Sequence, residues 1–253
     1  MPCEAAQTEL FLFAMKDNID SSVVINRKIV IELRINPMAT ILDRIGAIAD
    51  SIAKKNIFKP ENFWEIGGSE RRVQFRDNSK QDEARYSAVV EYNRVSFFCS
   101  RIDTVDSFFN QYKKFYDAIK EAIPEWVVIR IGCRIQGAYK TSQDDYVTLV
   151  EHLKTIFPNQ FFLQDFAAKG FSFRVDYQSG MYQIAPLNSD DAFYTREFPL
   201  KVRNPRVGIM IDTDNCLVSQ PEGPAIDSIE KIKSVLVASL AVEKALYGNL
   251  SVL

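Results

Sequence analysis

The sequence predicts an α+β protein made of two consecutive copies of one strand–helix–strands–helix unit. Two segments of alternating apolar residues support this fold class: Ile-Val-Ile-Glu-Leu-Arg-Ile-Asn at 29–36 aligns without a gap with Ile-Arg-Ile-Gly-Cys-Arg-Ile-Gln at 129–136. After each segment the apolar spacing becomes helical, returns to period two and becomes helical again. We therefore expect an N-terminal arm over residues 1–22, a first repeat over 23–124 and a second repeat over 125–253.

The first repeat opens with a strand predicted over residues 23–36, whose alternation ends at Pro37. Isoleucines at helical spacing predict a helix from about residue 38 to 55. Period-two alternation over residues 61–101 then predicts three or four strands. This order gives the first repeat a strand, a helix and a set of further strands.

A second helix closes the first repeat. Asp103 or Thr104 is its predicted N-cap, and Pro124 ends it just after Ile123. Phe109 lies in its apolar stripe, so we expect this side chain to be almost fully buried between the helix and the sheet.

The second repeat opens with a strand predicted over residues 126–139. Alternation places one set of its side chains toward the core: Val127, Ile129, Ile131, Cys133 and Ile135. The polar residues Arg130, Arg134 and Gln136 fall on the other side of the same strand. A helix over residues 142–157 follows, with Ser142 as its predicted N-cap and Asp145 in the capping-box position.

The rest of the second repeat follows the order of the first. Period-two patterns at 171–177 and 181–187 predict two strands, and residues 189–204 form an insertion relative to the first repeat. A last strand is predicted over 206–214, and Pro224 opens the final helix. One curved antiparallel sheet with all four helices on one face would bury the apolar side of every element.

This element order resembles the TATA-box-binding-protein-like fold, in which each half consists of a strand, a helix, a run of antiparallel strands and a closing helix. The resemblance is one of topology and covers most of residues 23–248. It implies a saddle-shaped sheet and implies nothing about DNA, because function is not inherited from fold alone.

The chain also contains three short motifs: an aromatic helix with Phe108, Phe109 and Tyr112, the central segment Arg-Ile-Gly-Cys-Arg-Ile at 130–135, and Ile-Asp-Thr-Asp at 211–214. Together they resemble a sporadically distributed family of bacterial proteins of about this length, which are mostly uncharacterised. In that family the central segment is Arg-Ile-Gly-Leu-Arg-Tyr-like, so cysteine replaces leucine here and isoleucine replaces the aromatic residue. The resemblance implies no particular activity.

Composition narrows the classes of function. The chain has 253 residues, 47% of them hydrophobic and 25% charged, with a formal net charge of −2, so it has no general affinity for polyanions. Four scattered cysteines and the single histidine, His152, exclude the usual structural zinc spacings. The glycines match no nucleotide-binding pattern, so no cofactor is predicted. Without a secretion signal or a long apolar run, we expect a cytoplasmic protein that does not contact membranes.

Arginines alternate onto the polar side of the predicted strands. The predicted binding residues are Arg34, Arg94, Arg130, Arg134, Arg174 and Arg206. Because guanidinium groups form paired hydrogen bonds with carboxylates and phosphates, this face is predicted to bind a protein partner or an anionic ligand. Arg34 and Arg134 are equivalent in the two repeats and are expected at its centre. The alternative interpretation is neutralisation by carboxylates on the same face: Glu32, Glu91, Asp176 and Asp212.

Asp212 and Asp214 fall on one side of the last predicted strand, at its end, where a divalent cation could bind. The competing interpretation is a pair that caps a turn into Asn215.

Our leading functional hypothesis is a non-enzymatic bacterial interaction protein of accessory type. A metal-dependent hydrolase or nuclease that uses the two aspartates is the second hypothesis, and a sequence-tolerant nucleic-acid-binding protein is the third.

Overall fold

The computed structural model describes residues 19, 22–58, 64–67, 72–76, 86–102, 104–156, 171–188, 207–221 and 223–250. Most of the predicted N-terminal arm, the predicted cap Asp103 and the predicted insertion at 189–204 lie outside these residues. Among the described helices, none combines the length and the apolar character that a membrane crossing requires.

The described residues confirm the α+β class, because they form one open antiparallel sheet with helices. The strands are β1 (Val24–Ile35), β2 (Trp64–Gly67), β3 (Arg72–Arg76), β4 (Tyr86–Glu91), β5 (Arg94–Cys99), β6 (Val128–Tyr139), β7 (Phe173–Tyr177), β8 (Gly180–Asn188) and β9 (Val207–Val218). They lie side by side in the order β2-β3-β4-β5-β1-β6-β9-β8-β7. The strands β1 and β6, for which the sequence predicts the greatest length, are therefore neighbours at the middle of the sheet.

The helices pack against one face of this sheet. They are α1 (Ala39–Asp43), α2 (Ile45–Lys54), α3 (Val105–Ala122), α4 (Tyr146–Ile156) and α5 (Ile229–Leu250). We call this the covered face; on β1 it carries Ile29, Ile31 and Leu33, which join one apolar core with residues of α1, α2, α3 and α5. The opposite side, which on β1 carries Val30, Glu32 and Arg34, is called the open face.

The covered face confirms several details of the apolar pattern. Ile131, Cys133 and Ile135 of β6 are buried there, as their alternation predicts. Phe109 is 8% exposed and stacks on Tyr112, so its predicted burial is also confirmed.

Two predictions about the helices are wrong, and one of the two N-caps predicted for α3 is confirmed. The helix predicted over residues 38–55 is two helices, because the backbone of Arg44 (φ −103°, ψ 13°) leaves the helical conformation between α1 and α2. The N-cap of α3 is Thr104, whose hydroxyl oxygen accepts a hydrogen bond from the Ser107 amide at 3.1 Å. In α4 the capping side chain is Asp145 and not Ser142, since its carboxylate accepts from the Thr148 amide at 2.8 Å.

A β-bulge at the start of β6 overturns part of the predicted alternation. Arg34 of β1 opposes Arg130, whereas Ile35 opposes Val128, so Ile129 has no partner in the register. The extra residue reverses the alternation, and Val128 is buried while Val127 and Ile129 are 52% and 38% exposed. The prediction that Val127 and Ile129 face the core is therefore wrong.

The last strand is longer than predicted. β9 pairs continuously with β6 from Ile209 to Val218, so Asp212 and Asp214 lie inside the strand and Asn215 continues it. The predicted strand end and the predicted turn at Asn215 are both wrong. The apolar alternation stops at Asp212, but the ladder hydrogen bonds of β6 continue to hold the chain extended beyond it.

A buried ion pair lies beneath α5 on the covered face. Arg27 of β1 donates from Nε to Glu243 Oε1 at 3.0 Å and from Nη2 to the other carboxylate oxygen, and the Tyr139 hydroxyl donates to the same carboxylate. The side chains of Arg27 and Glu243 are 4% and 0% exposed. Any larger residue at 137 would force the ring of Tyr139 to move away from Glu243, because a Cβ atom there would overlap that ring.

Candidate binding surface on the open face

The open face of the described strands carries charges of both signs, with basic residues in excess. The basic residues are Lys28, Arg34, Arg72, Arg76, Arg94, Arg130, Arg134 and Arg174. The acidic residues are Glu32, Glu91, Asp176, Asp212 and Asp214. The predicted alternation of arginines onto one face is therefore present for every predicted site residue except Arg206, which lies outside the described residues.

Three of the predicted arginines form a row across the central strands of the sheet, close to the ends of those strands. Arg34 of β1 opposes Arg94 of β5 on one side and Arg130 of β6 on the other. Because neighbouring strands lie about 4.8 Å apart, the row presents three guanidinium groups over a span of about 10 Å. We call Arg94, Arg34 and Arg130 the arginine row.

One carboxylate holds the arginine row together. Glu32 accepts a hydrogen bond from Arg34 Nε at 2.8 Å, and its oxygens lie 3.8 Å from Nη1 of both Arg94 and Arg130. Glycine at 132, directly opposite Glu32, leaves space for the Arg130 side chain: a Cβ atom there would lie 3.1 Å from Arg130 Nη1. All three arginines lie near Glu32, and Arg94 also pairs with Glu91.

The members of the row differ in how strongly they are held. Arg94 makes a two-point contact with Glu91, with Nε and Nη2 at 3.0 and 2.6 Å from the carboxylate oxygens. Arg34 uses Nε alone, and Arg130 makes no hydrogen bond within the part of the chain that the structure describes. Since the side chains of Arg34 and Arg130 are 41% and 34% exposed, both guanidinium groups remain accessible to a further acidic group.

Arg134 is bound differently from Arg34, although the aligned sequences make the two equivalent. It donates from Nε and Nη2 to the two oxygens of Asp212 at 2.9 and 2.5 Å, and Gln136 donates to the same carboxylate at 3.2 Å. Asp212 is 2% exposed, so Arg134 is needed to compensate a buried charge. The predicted centre at Arg34 and Arg134 is thus asymmetric, and Arg134 has a structural role that Arg34 lacks.

Asp214 opposes Arg134 in the register but is not hydrogen-bonded to it. Its carboxylate has no hydrogen bond to another described residue. Partial burial raises the pKa of Asp214, and the nearby positive charges of Arg130 and Arg134 partly oppose that rise. The surroundings of Asp214 therefore disfavour its ionised form.

Arg174 lies away from the centre, on the edge strand β7. It contacts Asp176 two residues along at 2.7 Å, and both side chains are more than half exposed. The pair holds the pKa of Asp176 below its usual range, mainly through the hydrogen bond from Arg174. The neutralising partners expected from the sequence (Glu32, Glu91, Asp176 and Asp212) all pair with arginines.

The predicted metal ligands lie on one face but do not form a chelating group. Asp212 and Asp214 point to the same side of β9, as their spacing predicts. Both oxygens of Asp212 already accept hydrogen bonds from Arg134. Within the described ranges, no three His, Cys, Asp or Glu side chains come close enough to hold a metal ion together. The two predicted metal ligands are thus Asp214 and an Asp212 whose carboxylate is already paired with Arg134.

A shallow pocket of about 230 Å³ adjoins the Arg134–Asp212 pair. Its polar wall consists of Arg134, Asp212 and Gln183, and its apolar wall of Ala185, Leu187 and Met210. The apolar residues form a small cluster of their own with Ala138 on the open face. The sequence does not predict this pocket, because the pocket depends on β8 lying beside β9, which no local pattern reveals.

Comparison with protein-family models found none that matches this chain. Comparison with curated proteins likewise found no match.

Proposed function

We propose that this protein is a non-enzymatic binding protein whose open sheet face holds acidic groups of a partner protein. One observation carries the proposal: the arginine row presents three adjacent guanidinium groups whose shared carboxylate, Glu32, lies 3.8 Å from two of them. Arg34 and Arg130 keep donors for a further carboxylate, and guanidinium groups are suited to paired hydrogen bonds with such groups.

The surroundings of the row favour a protein over a nucleic acid. Carboxylates alternate with the arginines, and a continuous phosphate backbone crossing this face would meet Glu32, Glu91 and Asp214 as well. Half-buried Val30 and Phe98 lie directly beside each other on the same face. A mixture of arginine, aromatic and aliphatic residues is typical of protein–protein interfaces.

The test is binding of a fluorescent octa-glutamate peptide, followed by anisotropy, to the wild-type chain and to the double variant Arg34→Ala/Arg130→Ala. We expect the variant to bind more weakly by about 2 kcal/mol or more, and added salt to weaken wild-type binding in the same direction. Arg134 is left unchanged, because its loss would leave Asp212 buried without its partner.

The matched control is Arg174→Ala, which removes an exposed paired arginine at the edge of the sheet. It should bind the peptide as the wild type does. Equal affinities for the wild type and the double variant would contradict the proposal. Tighter binding of an oligonucleotide of the same charge would favour the nucleic-acid hypothesis instead.

We also propose that the sheet consists of two related units of the TATA-box-binding-protein-like kind, and that the chain belongs to the bacterial family it resembles. The support is the register: Glu32 opposes Gly132, and these two positions are equivalent in the gap-free alignment of 29–36 with 129–136. A twofold axis through that pair would exchange β1 with β6. In a crystal structure, superposing residues 23–123 on 126–246 is expected to pair Ile31 with Ile131 and Arg34 with Arg134.

A further inference from the structure

Most of the exposed large apolar side chains in the described residues lie at one end of the sheet. These are Tyr92, Val127, Ile129 and Val218; the other two, Val147 and Ile156, lie on α4. The chain segments at this end are joined by backbone hydrogen bonds, from Met38 N to Tyr92 O, from Asn36 N to Val127 O and from Ser219 N to Ile129 O, each at 2.9 or 3.0 Å. We call Tyr92, Val127, Ile129 and Val218 the apolar rim.

The bulge in β6 creates half of this rim. Without the extra residue, the alternation of β6 would bury Ile129 and Val127 together with Ile131. The bulge instead exposes 38% of Ile129 and 52% of Val127, although both are β-branched apolar side chains at the end of a central strand. Bulges are over-represented at sheet edges and next to active sites, where they change the direction of side chains.

The rim is continuous with the arginine row. Val218 of β9 opposes Arg130 of β6, which opposes Arg34, which opposes Arg94, so the apolar and the basic residues form one line across four strands. Tyr92 lies in the turn that joins β4 to β5, two residues before Arg94. Any segment bound along this line would therefore contact guanidinium groups and branched apolar side chains within a few residues.

We infer that the line formed by the arginine row and the apolar rim is the docking site for a short acidic and apolar peptide segment of another protein. Its Asp or Glu residues would lie on Arg34 and Arg130, and its Leu, Ile or Phe residues on Val127, Ile129 and Val218. The excess of positive charge in the row selects acidic residues, and the desolvation of the rim on binding supplies affinity. This inference rests on the proposed function and specifies its partner.

The experiment is selection of a random dodecapeptide library, displayed on phage, against the immobilised full chain. Enriched peptides are expected to combine Asp or Glu with Leu, Ile or Phe. Synthetic copies of the two most enriched peptides are then titrated against the triple variant Val127→Thr/Ile129→Thr/Val218→Thr, which keeps a β-branched residue at each position. Loss of at least about tenfold in affinity is expected, as for removal of central apolar contacts from an interface.

The matched control is Val147→Thr/Ile156→Thr, which removes equally exposed apolar side chains from α4 and should leave affinity unchanged. Purely acidic peptides that the triple variant binds as tightly as the wild type would overturn this inference while leaving the proposed function intact. Selection of peptides without acidic residues, or binding that survives Arg34→Ala/Arg130→Ala, would overturn both. Circular dichroism and thermal unfolding of the triple variant confirm that it is folded before titration.

Discussion

The two faces of the sheet contain the same chemical pair in opposite surroundings. On the covered face Arg27 and Glu243 are 4% and 0% exposed, and a tyrosine hydroxyl completes the contact. On the open face Arg34 and Glu32 are 41% and 23% exposed, and Glu32 is shared among three arginines. Breaking a buried pair leaves a charge without compensation, whereas an exposed pair contributes little to stability. The comparison indicates that the covered pair fixes α5 on the sheet, whereas the open pairs contribute little to stability.

The most severe test of this comparison is Glu243→Gln. The substitution leaves the Arg27 guanidinium buried opposite a neutral amide, so we expect the free energy of unfolding to fall by about 3–5 kcal/mol. Urea denaturation followed by circular dichroism measures the change. The matched variant on the open face, Glu32→Gln, should cost about 1 kcal/mol or less. The comparison fails if both variants lose the same stability.

A double variant separates the contribution of the buried charges to the free energy of unfolding from that of side-chain packing. Replacing the buried pair together, as in Arg27→Met/Glu243→Leu, is expected to recover most of the stability that Glu243→Gln loses, since no unpaired charge remains. Failure to recover would show that the Tyr139 hydroxyl, which would then lack its acceptor, contributes the larger share.

An apolar truncation in the core beneath the helices gives a reference for these losses of stability. Phe109→Ala removes an aromatic ring that is 8% exposed and stacked on Tyr112, so we expect a loss of about 3 kcal/mol, at the lower end for such truncations. The shift of the unfolding midpoint in urea measures it. A near-neutral result would mean that this side of α3 faces solvent or a partner.

The pair Arg134–Asp212 is intermediate between the buried and the exposed ion pairs, because its arginine is exposed and its aspartate is buried. Arg134→Ala should reduce the free energy of unfolding by about 1–3 kcal/mol, which is the cost of leaving Asp212 without its partner. Arg34→Ala should cost about 1 kcal/mol or less, because Glu32 keeps Arg94 and Arg130 nearby. Equal losses in the two variants would contradict the different roles assigned to Arg34 and Arg134.

The sequence was informative where structure depends on local periodicity. Alternation located β1 and β6 to within two residues and assigned Arg34, Arg94 and Arg130 to one face, because the direction of a strand side chain depends on its position alone. The bulge at Ile129 could not be predicted in this way, since it is defined by the register of β6 against β1.

Features that join distant segments were not predicted either. Arg27 and Glu243 lie 216 residues apart, and their contact depends on the docking of α5. One signal was nevertheless present: Arg27 continues the same alternation as Ile29, Ile31 and Leu33, and a charged residue in an apolar alternation requires a buried partner. The sequence placed Asp212 among the carboxylates that could neutralise the arginines of this face, but its pairing with Arg134 in particular depends on β6 and β9 being neighbours.

The smallest expected effect concerns Asp214, a partly buried carboxylate on the open face. Burial raises its pKa above the usual value of 3.8, so the native state binds the proton more tightly than the unfolded state does. Between the unfolded and the native pKa, stability therefore falls as the pH rises, and above both it stays at the lower level. Asp214→Asn removes the ionised form and should raise the melting temperature slightly at pH 7, with the difference from wild type disappearing as the pH falls below about 4. Differential scanning fluorimetry from pH 3 to 8 measures this dependence. A variant less stable than wild type at pH 7 would show instead that attraction to Arg130 and Arg134 outweighs the cost of burying the charge, and would place Asp214 among the structural ion pairs.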